Sequence, residues 1–248
     1  MNIELGALGI ILLAMAAGGV VKGATGMGLP QVAIPVMATF LGVESAVVIM
    51  AIPGIVTNTW LLWNYRRSYK HTRDLPALLV LGVVGTIAGS LALSSLNEDA
   101  LSLVLAVMIG LYVVVFFTHP DLKLTPAFTR IASPPVGVAA GLLQGATGMS
   151  GPLISTYLHS YRMEREVFVV ALTTIFQVFA LVQAATLLGV GLYTTERFVL
   201  SILSVIAAMA SLPLGERLAG RWSRRTFEIA VIVILVASAA KLLYDALL

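Results

Sequence analysis

Two copies of one short pattern carry the residues best suited to chemistry. Gly-Ala-Thr-Gly-Met occupies positions 23 to 27 and again 145 to 149, and a proline follows at the same spacing, Pro30 and Pro152. Glycine opens backbone conformations closed to other residues. Proline suits the first turn of a helix, where a missing N–H has no partner to lose. Each copy therefore predicts a helix that stops, a short unwound stretch, and a new helix beginning near Met27 to Leu29 or Met149 to Gly151. The start of a helix presents free N–H groups and about half a positive charge, a ready site for an anion. The side chains beside the breaks are neutral hydrogen-bonding groups, Thr25, Thr147, Ser150, Gln31 and Gln144, with one cation, Lys22, at the position equivalent to Gln144. The chemistry on offer is recognition of a compact anion. The candidate binding set is Lys22, Gly23, Thr25, Gly26, Met27, Gly28, Gln31, Gln144, Gly145, Thr147, Gly148, Met149, Ser150 and Gly151, completed by Asn58, Thr174 and Gln177 from neighbouring apolar segments.

The elements that must hold these groups lie in a membrane. With 59% hydrophobic and only 11% charged residues in 248, and a mean hydropathy of +0.99, too little polar surface exists to clothe a soluble globule. Apolar stretches suited to a hydrocarbon core ~30 Å thick fall at 5 to 22, 44 to 65, 75 to 95, 99 to 117, 131 to 144, 167 to 189, 197 to 215 and 226 to 247. Two shorter ones, 30 to 41 and 152 to 160, follow the glycine motifs directly and are too short to span unaided. They read as re-entrant or strongly tilted helices. The first cation, Lys22, lies behind the first apolar run rather than ahead of it, so that run is expected to be retained and not cleaved as a signal peptide.

The spacing between the motifs, 122 positions, is about half the chain, and the same offset lays Glu44 on Glu166 and Val47 and Val48 on Val169 and Val170. A duplicated unit follows: a first repeat at 1 to 122 with a hairpin at 5 to 41, and a second at 123 to 248 with a hairpin at 131 to 160. Most basic residues sit in alternate connections: Arg66, Arg67, Lys70 and Arg73; Lys123 and Arg130; Arg162 and Arg165; Arg217, Arg221, Arg224 and Arg225. The intervening connections hold Glu44, Glu98, Asp99 and Glu196, with Arg197 the only cation. The positive-inside rule makes the first set cytoplasmic. Equivalent connections in the two halves then face opposite sides, the mark of an inverted repeat whose two-fold axis lies in the membrane plane. The expected fold is all-α and polytopic, each repeat a glycine-broken hairpin followed by three transmembrane helices, with both termini extracytoplasmic and the hairpin tips near mid-membrane.

Composition also excludes. Without cysteine there is no disulfide or thiolate chemistry. No His-Glu-x-x-His, paired acidic residues at depth or Gly-x-Ser-x-Gly appears, so no enzyme, no metal and no cofactor is expected. Charge density nowhere approaches that of a nucleic-acid surface. No Asp or Glu lies in the middle of an apolar segment, which disfavours a cation carrier or proton pump. Gly82, Gly85 and Gly89 read as helix-packing glycines, and Trp60, Trp63 and Tyr65 as an interfacial anchor. Lys22 has a second reading, snorkelling toward an interface.

Together the motifs Gly23 to Pro30 and Gly145 to Pro152, and the closing pattern Gly215-Glu216-Arg217-Leu218 ahead of a final apolar helix, resemble the sulfite exporter TauE/SafE family of bacterial membrane proteins. The resemblance covers essentially the whole chain. It implies a small secondary carrier of two homologous halves in the bacterial inner membrane, moving sulfite, thiosulfate, a sulfonate such as sulfoacetate, or a related organic anion. Its partners are then that anion and the lipid bilayer, with a homodimer also compatible. Ala24, Met27 and Leu29 stand where the family has a denser glycine run, which implies a larger or more apolar pocket. Export by alternating access is the expected mode; a passive anion channel, an importer coupled to a proton or sodium, and a scaffold subunit are the alternatives.

Overall fold

A computed structural model describes residues 5 to 68, 75 to 118, 126 to 218 and 224 to 247. Every apolar stretch carries a helix, and no strand occurs among the described residues. The helices are α1 Leu5–Thr25, α2 Leu29–Leu41, α3 Val43–Asn64, α4 Leu75–Ser95, α5 Glu98–Thr118, α6 Pro126–Thr147, α7 Gly151–His159, α8 Arg165–Gly189, α9 Thr195–Leu218 and α10 Arg224–Leu247. Five of them, α1, α3, α4, α8 and α9, are long and apolar enough along their described residues to cross a membrane. With 13 and 9 residues, α2 and α7 rise only about 20 and 14 Å and cannot cross alone. The outer surface is apolar: Leu13, Val80, Ile131 and Leu188 are each more than 60% exposed, as suits side chains facing lipid.

The most extensive helix pairs between the halves follow the 122-residue shift, whereas α2 on α10, whose counterpart would be α7 on α5, does not. That shift carries α1, α3, α4 and α5 onto α6, α8, α9 and α10. The most extensive packing is α4 on α6 and α1 on α9, an exchanged pair under the shift; α3 on α9 and α8 on α4 are another. The pairs α3 with α8 and α5 with α10 map onto themselves. Each half therefore packs its first helix on the other half.

Small residues make this approach possible. A Cβ on Gly141 or Gly145 of α6 would run into the backbone of Gly82 or Thr86 on α4, and one on Gly85 or Gly89 into the backbone of Val138 or Leu142 on α6. In the other half, Gly23 lies against the Leu212 carbonyl of α9 and Gly215 against that of Val20. With lipid tails as apolar as leucine, such backbone contact is what holds membrane helices together. Gly82 likewise accommodates the ring of Phe179, so Gly82, Gly85 and Gly89 all serve packing.

The connections sort into two ends. At one, Arg197 pairs with Glu44 at 2.7 Å and donates to Ser45 Oγ at 3.0 Å, Tyr193 donates to the Val48 carbonyl at 3.1 Å, and the Glu98 carboxylate accepts from the Val43 N–H. At the other, Asn64 donates to Glu216 at 3.1 Å, Ser68 donates to Glu166, and the Arg66 guanidinium lies 4.6 Å above the Trp63 ring. The connections poor in positive charge thus share one end, and the basic ones described share the other. Lys70, His71, Arg73, His119, Lys123 and Arg221 lie outside the described residues, as do the side chains of Arg130, Arg224 and Arg225. His159 stacks on Phe168 with ring centroids 4.5 Å apart.

Candidate cleft between the two glycine breaks

Both repeated motifs break their helix as glycine requires. Gly26 and Gly28 have φ of 83° and 110°, and Gly148 has 68°, values in the left-handed region. Pro30 and Pro152 sit in the first turn of α2 and α7. The chain then doubles back: Gly28 lies against Val21 and Gly18 against Leu29, so α2 runs beside α1. The two breaks pass one another rather than meeting tip to tip. Gly26 rests on Val169, one turn into α8, while Gly148 rests on Ile34 and Val47, the latter one turn into α3. Val47 and Val169 are the pair related by the repeat offset.

Between the breaks lies a small cleft, walled by α3 and α8 and lined by residues of both hairpins. It brings together seven of the expected residues: Lys22, Met27, Asn58, Gln144, Gly148, Ser150 and Gly151. Lys22 is 2% exposed, and its ammonium donates to Asn58 Oδ1, a neutral acceptor. Among the described residues Lys22 makes no ion pair, and no Asp or Glu lines the cleft. Gln144 holds the equivalent place in the other repeat and is part of a chain: Ser150 Oγ donates to its Oε1 at 2.8 Å, and its own Nε2 donates to Gln183 Oε1 at 3.1 Å.

The other ten expected residues do not line the cleft. Gly23 and Gly145 face α9 and α4 as packing positions, Gly26 touches Val169, and Gly28 touches Val21. Thr25 closes its own turn, with its hydroxyl 2.9 Å from the Val21 carbonyl and 2.7 Å from that of Met27. Thr147 and Thr174 each donate to the carbonyl four residues back, at 2.7 Å, as hydroxyls in membrane helices commonly do. Met149 is buried in the apolar core. Gln177 donates to Thr59 Oγ1 at 3.2 Å. Gln31 is 3% exposed and lies against Gly151, behind the wall, with its Oε1 unpartnered.

Gln183, Phe176, Met50 and Gly54 line the cleft without having been expected there. Gln183 had a signal, a second amide in the apolar run of α8 six positions beyond Gln177, which places the two on different faces. Phe176 and Met50 had none, since an apolar residue facing a cavity reads like one facing lipid. At the end of the bundle, Trp60 and Trp63 are exposed beside the basic connection, as an interfacial anchor requires. Burial raises the pKa of Tyr65 above its ordinary 10.0, and nearby Glu216 and Glu166 act in the same direction against Arg165.

A family model described as sulfite exporter TauE/SafE matches residues 10–242, nearly the whole chain. No curated protein and no solved structure matches it.

Proposed function

The chain belongs to the sulfite exporter TauE/SafE family, a family of membrane transporters of sulfur anions, and from that premise we propose that it is a secondary carrier that exports sulfite, thiosulfate or a small organosulfonate by alternating access. The observation that carries the reading is Lys22, a buried amine bonded to a neutral amide in a cleft whose remaining polar lining is neutral. A charge held out of water without an opposite partner is costly, and an arriving anion relieves that cost. The starts of α2 and α7 add free N–H groups beside the same cleft. Asn58, Gln144 and Ser150 supply orientation, and Phe176 and Met50 supply room for an apolar substituent.

Direction follows from energy. A potential of ~100 mV, negative inside, contributes about 2.3 kcal/mol per charge, hence roughly 4.6 for a departing dianion. Export needs no coupling ion. The exchange of helix pairs under the repeat offset, and the sorting of basic and acidic connections to opposite ends, support two halves inverted about an axis in the membrane plane. On this reading the basic end is cytoplasmic, the membrane is the bacterial inner membrane and both termini are extracytoplasmic.

Two measurements on purified protein test the proposal. At equal concentration sulfite, thiosulfate and sulfoacetate should raise the melting temperature in the order of their affinities, and preloaded proteoliposomes should show counterflow. Stabilisation by cations alone would remove the anion reading; flux without saturation or counterflow would make the protein a channel.

A further inference from the structure

The helices that stop at the breaks end in carbonyl oxygens. An α-helix leaves its last four C=O groups without intrahelical partners and carries about half a negative charge there. The ends of α1 at Thr25 and of α6 at Thr147 therefore oppose what the starts of α2 and α7 attract. Oxygens of this kind are also what carriers with broken helices use to coordinate sodium.

Here three of these carbonyls, those of Ala24, Gln144 and Gly145, are engaged by side chains of one helix, α8. Arg165, the first residue of α8, donates Nη2 to the Ala24 carbonyl at 2.9 Å. About five turns along the same helix, Gln183 donates Nε2 to the carbonyls of Gln144 at 2.7 Å and Gly145 at 3.2 Å. The Gly26 and Gly148 N–H groups add bonds to the Lys22 and Gln144 carbonyls at 2.7 and 2.8 Å. Gln183 is 1% exposed, so its amide is committed to this work. Its Oε1 also fixes the Gln144 amide, accepting one N–H and leaving the second free to bond elsewhere.

We propose that Arg165 and Gln183 are positioning residues that set ion specificity: by bonding the Ala24, Gln144 and Gly145 carbonyls they weaken the negative poles at the ends of α1 and α6 and take those oxygens from a cation. The carrier then moves its anion without sodium. This rests on the anion-transport reading above and adds the groups that enforce it.

The test is sulfite flux in proteoliposomes with sodium or choline as the bulk cation. Wild-type flux should be the same in both. Gln183→Leu should raise KM at least about tenfold with little change in the maximal rate, a pattern that a folding defect does not produce. Gln183→Glu, close in shape, should turn flux sodium-dependent and carries the test if the leucine variant does not assemble. Arg165→Lys should keep the wild-type KM and Arg165→Leu should raise it. Saturable wild-type flux with an unaltered KM in Gln183→Leu overturns the inference alone, as does wild-type flux that requires a sodium gradient. No saturable flux of sulfite, thiosulfate or sulfoacetate by wild-type protein overturns it together with the transport reading.

Discussion

Replacing Lys22 by glutamine, the residue at the equivalent position of the other repeat, removes the cation that lines the cleft and keeps an N–H for Asn58. Two unit charges about 4 Å apart attract by about 4 kcal/mol at an effective dielectric constant near 20. Lys22 is only 2% exposed, so its desolvation is borne on folding rather than on binding, and most of that attraction appears as affinity. Allowing for water that enters an open cleft, the expected loss is about 2 to 4 kcal/mol, or roughly 30- to 1,000-fold in the Kd of sulfite. Calorimetric titration in detergent reads it directly. The melting temperature without anion should hold or rise, because a buried ammonium has gone. Added salt should mimic little of the effect, since an enclosed charge is poorly screened. A Kd within about threefold of wild type would show that Lys22 contributes no binding charge and only snorkels.

Gly148→Leu places a branched side chain at φ 68°, against Ile34 and at the cleft wall, and should abolish sulfite flux; normal flux would mean the break only packs helices. Gly145→Ala drives a methyl into the Thr86 carbonyl and should destabilise by about 1 to 3 kcal/mol, read as a lower melting temperature with KM unchanged in the protein that remains folded. Burial pushes the Tyr193 phenol up to about 12, and its neutral hydroxyl donates to the Val48 carbonyl. A raised folded value favours the protonated form, so its contribution is complete below pH 10 and is lost as pH rises toward 12. Tyr193→Phe should remove that alkaline step from a melting-temperature profile, and an unchanged profile would assign the step to another group.

Local properties of the chain are legible in the order of its residues. Hydropathy marks the helices because every backbone polar group in lipid must be satisfied within its own segment. Gly26, Gly148, Pro30 and Pro152 mark the breaks, because a left-handed φ and a missing N–H are properties of single residues. The alternation of basic and acidic connections foretells which loops share an end of the bundle. What the sequence leaves open is facing. Thr25, Thr147, Gly23 and Gly145 lie within a few positions of Lys22 and Gln144, yet their side chains close turns or meet another helix. A helix turns about 100° per residue, so adjacent positions look in different directions, and the direction that becomes a cavity is set by where α3 and α8 pack. That is why Gln183, distant in sequence from both motifs, lines the cleft while residues inside the motifs do not.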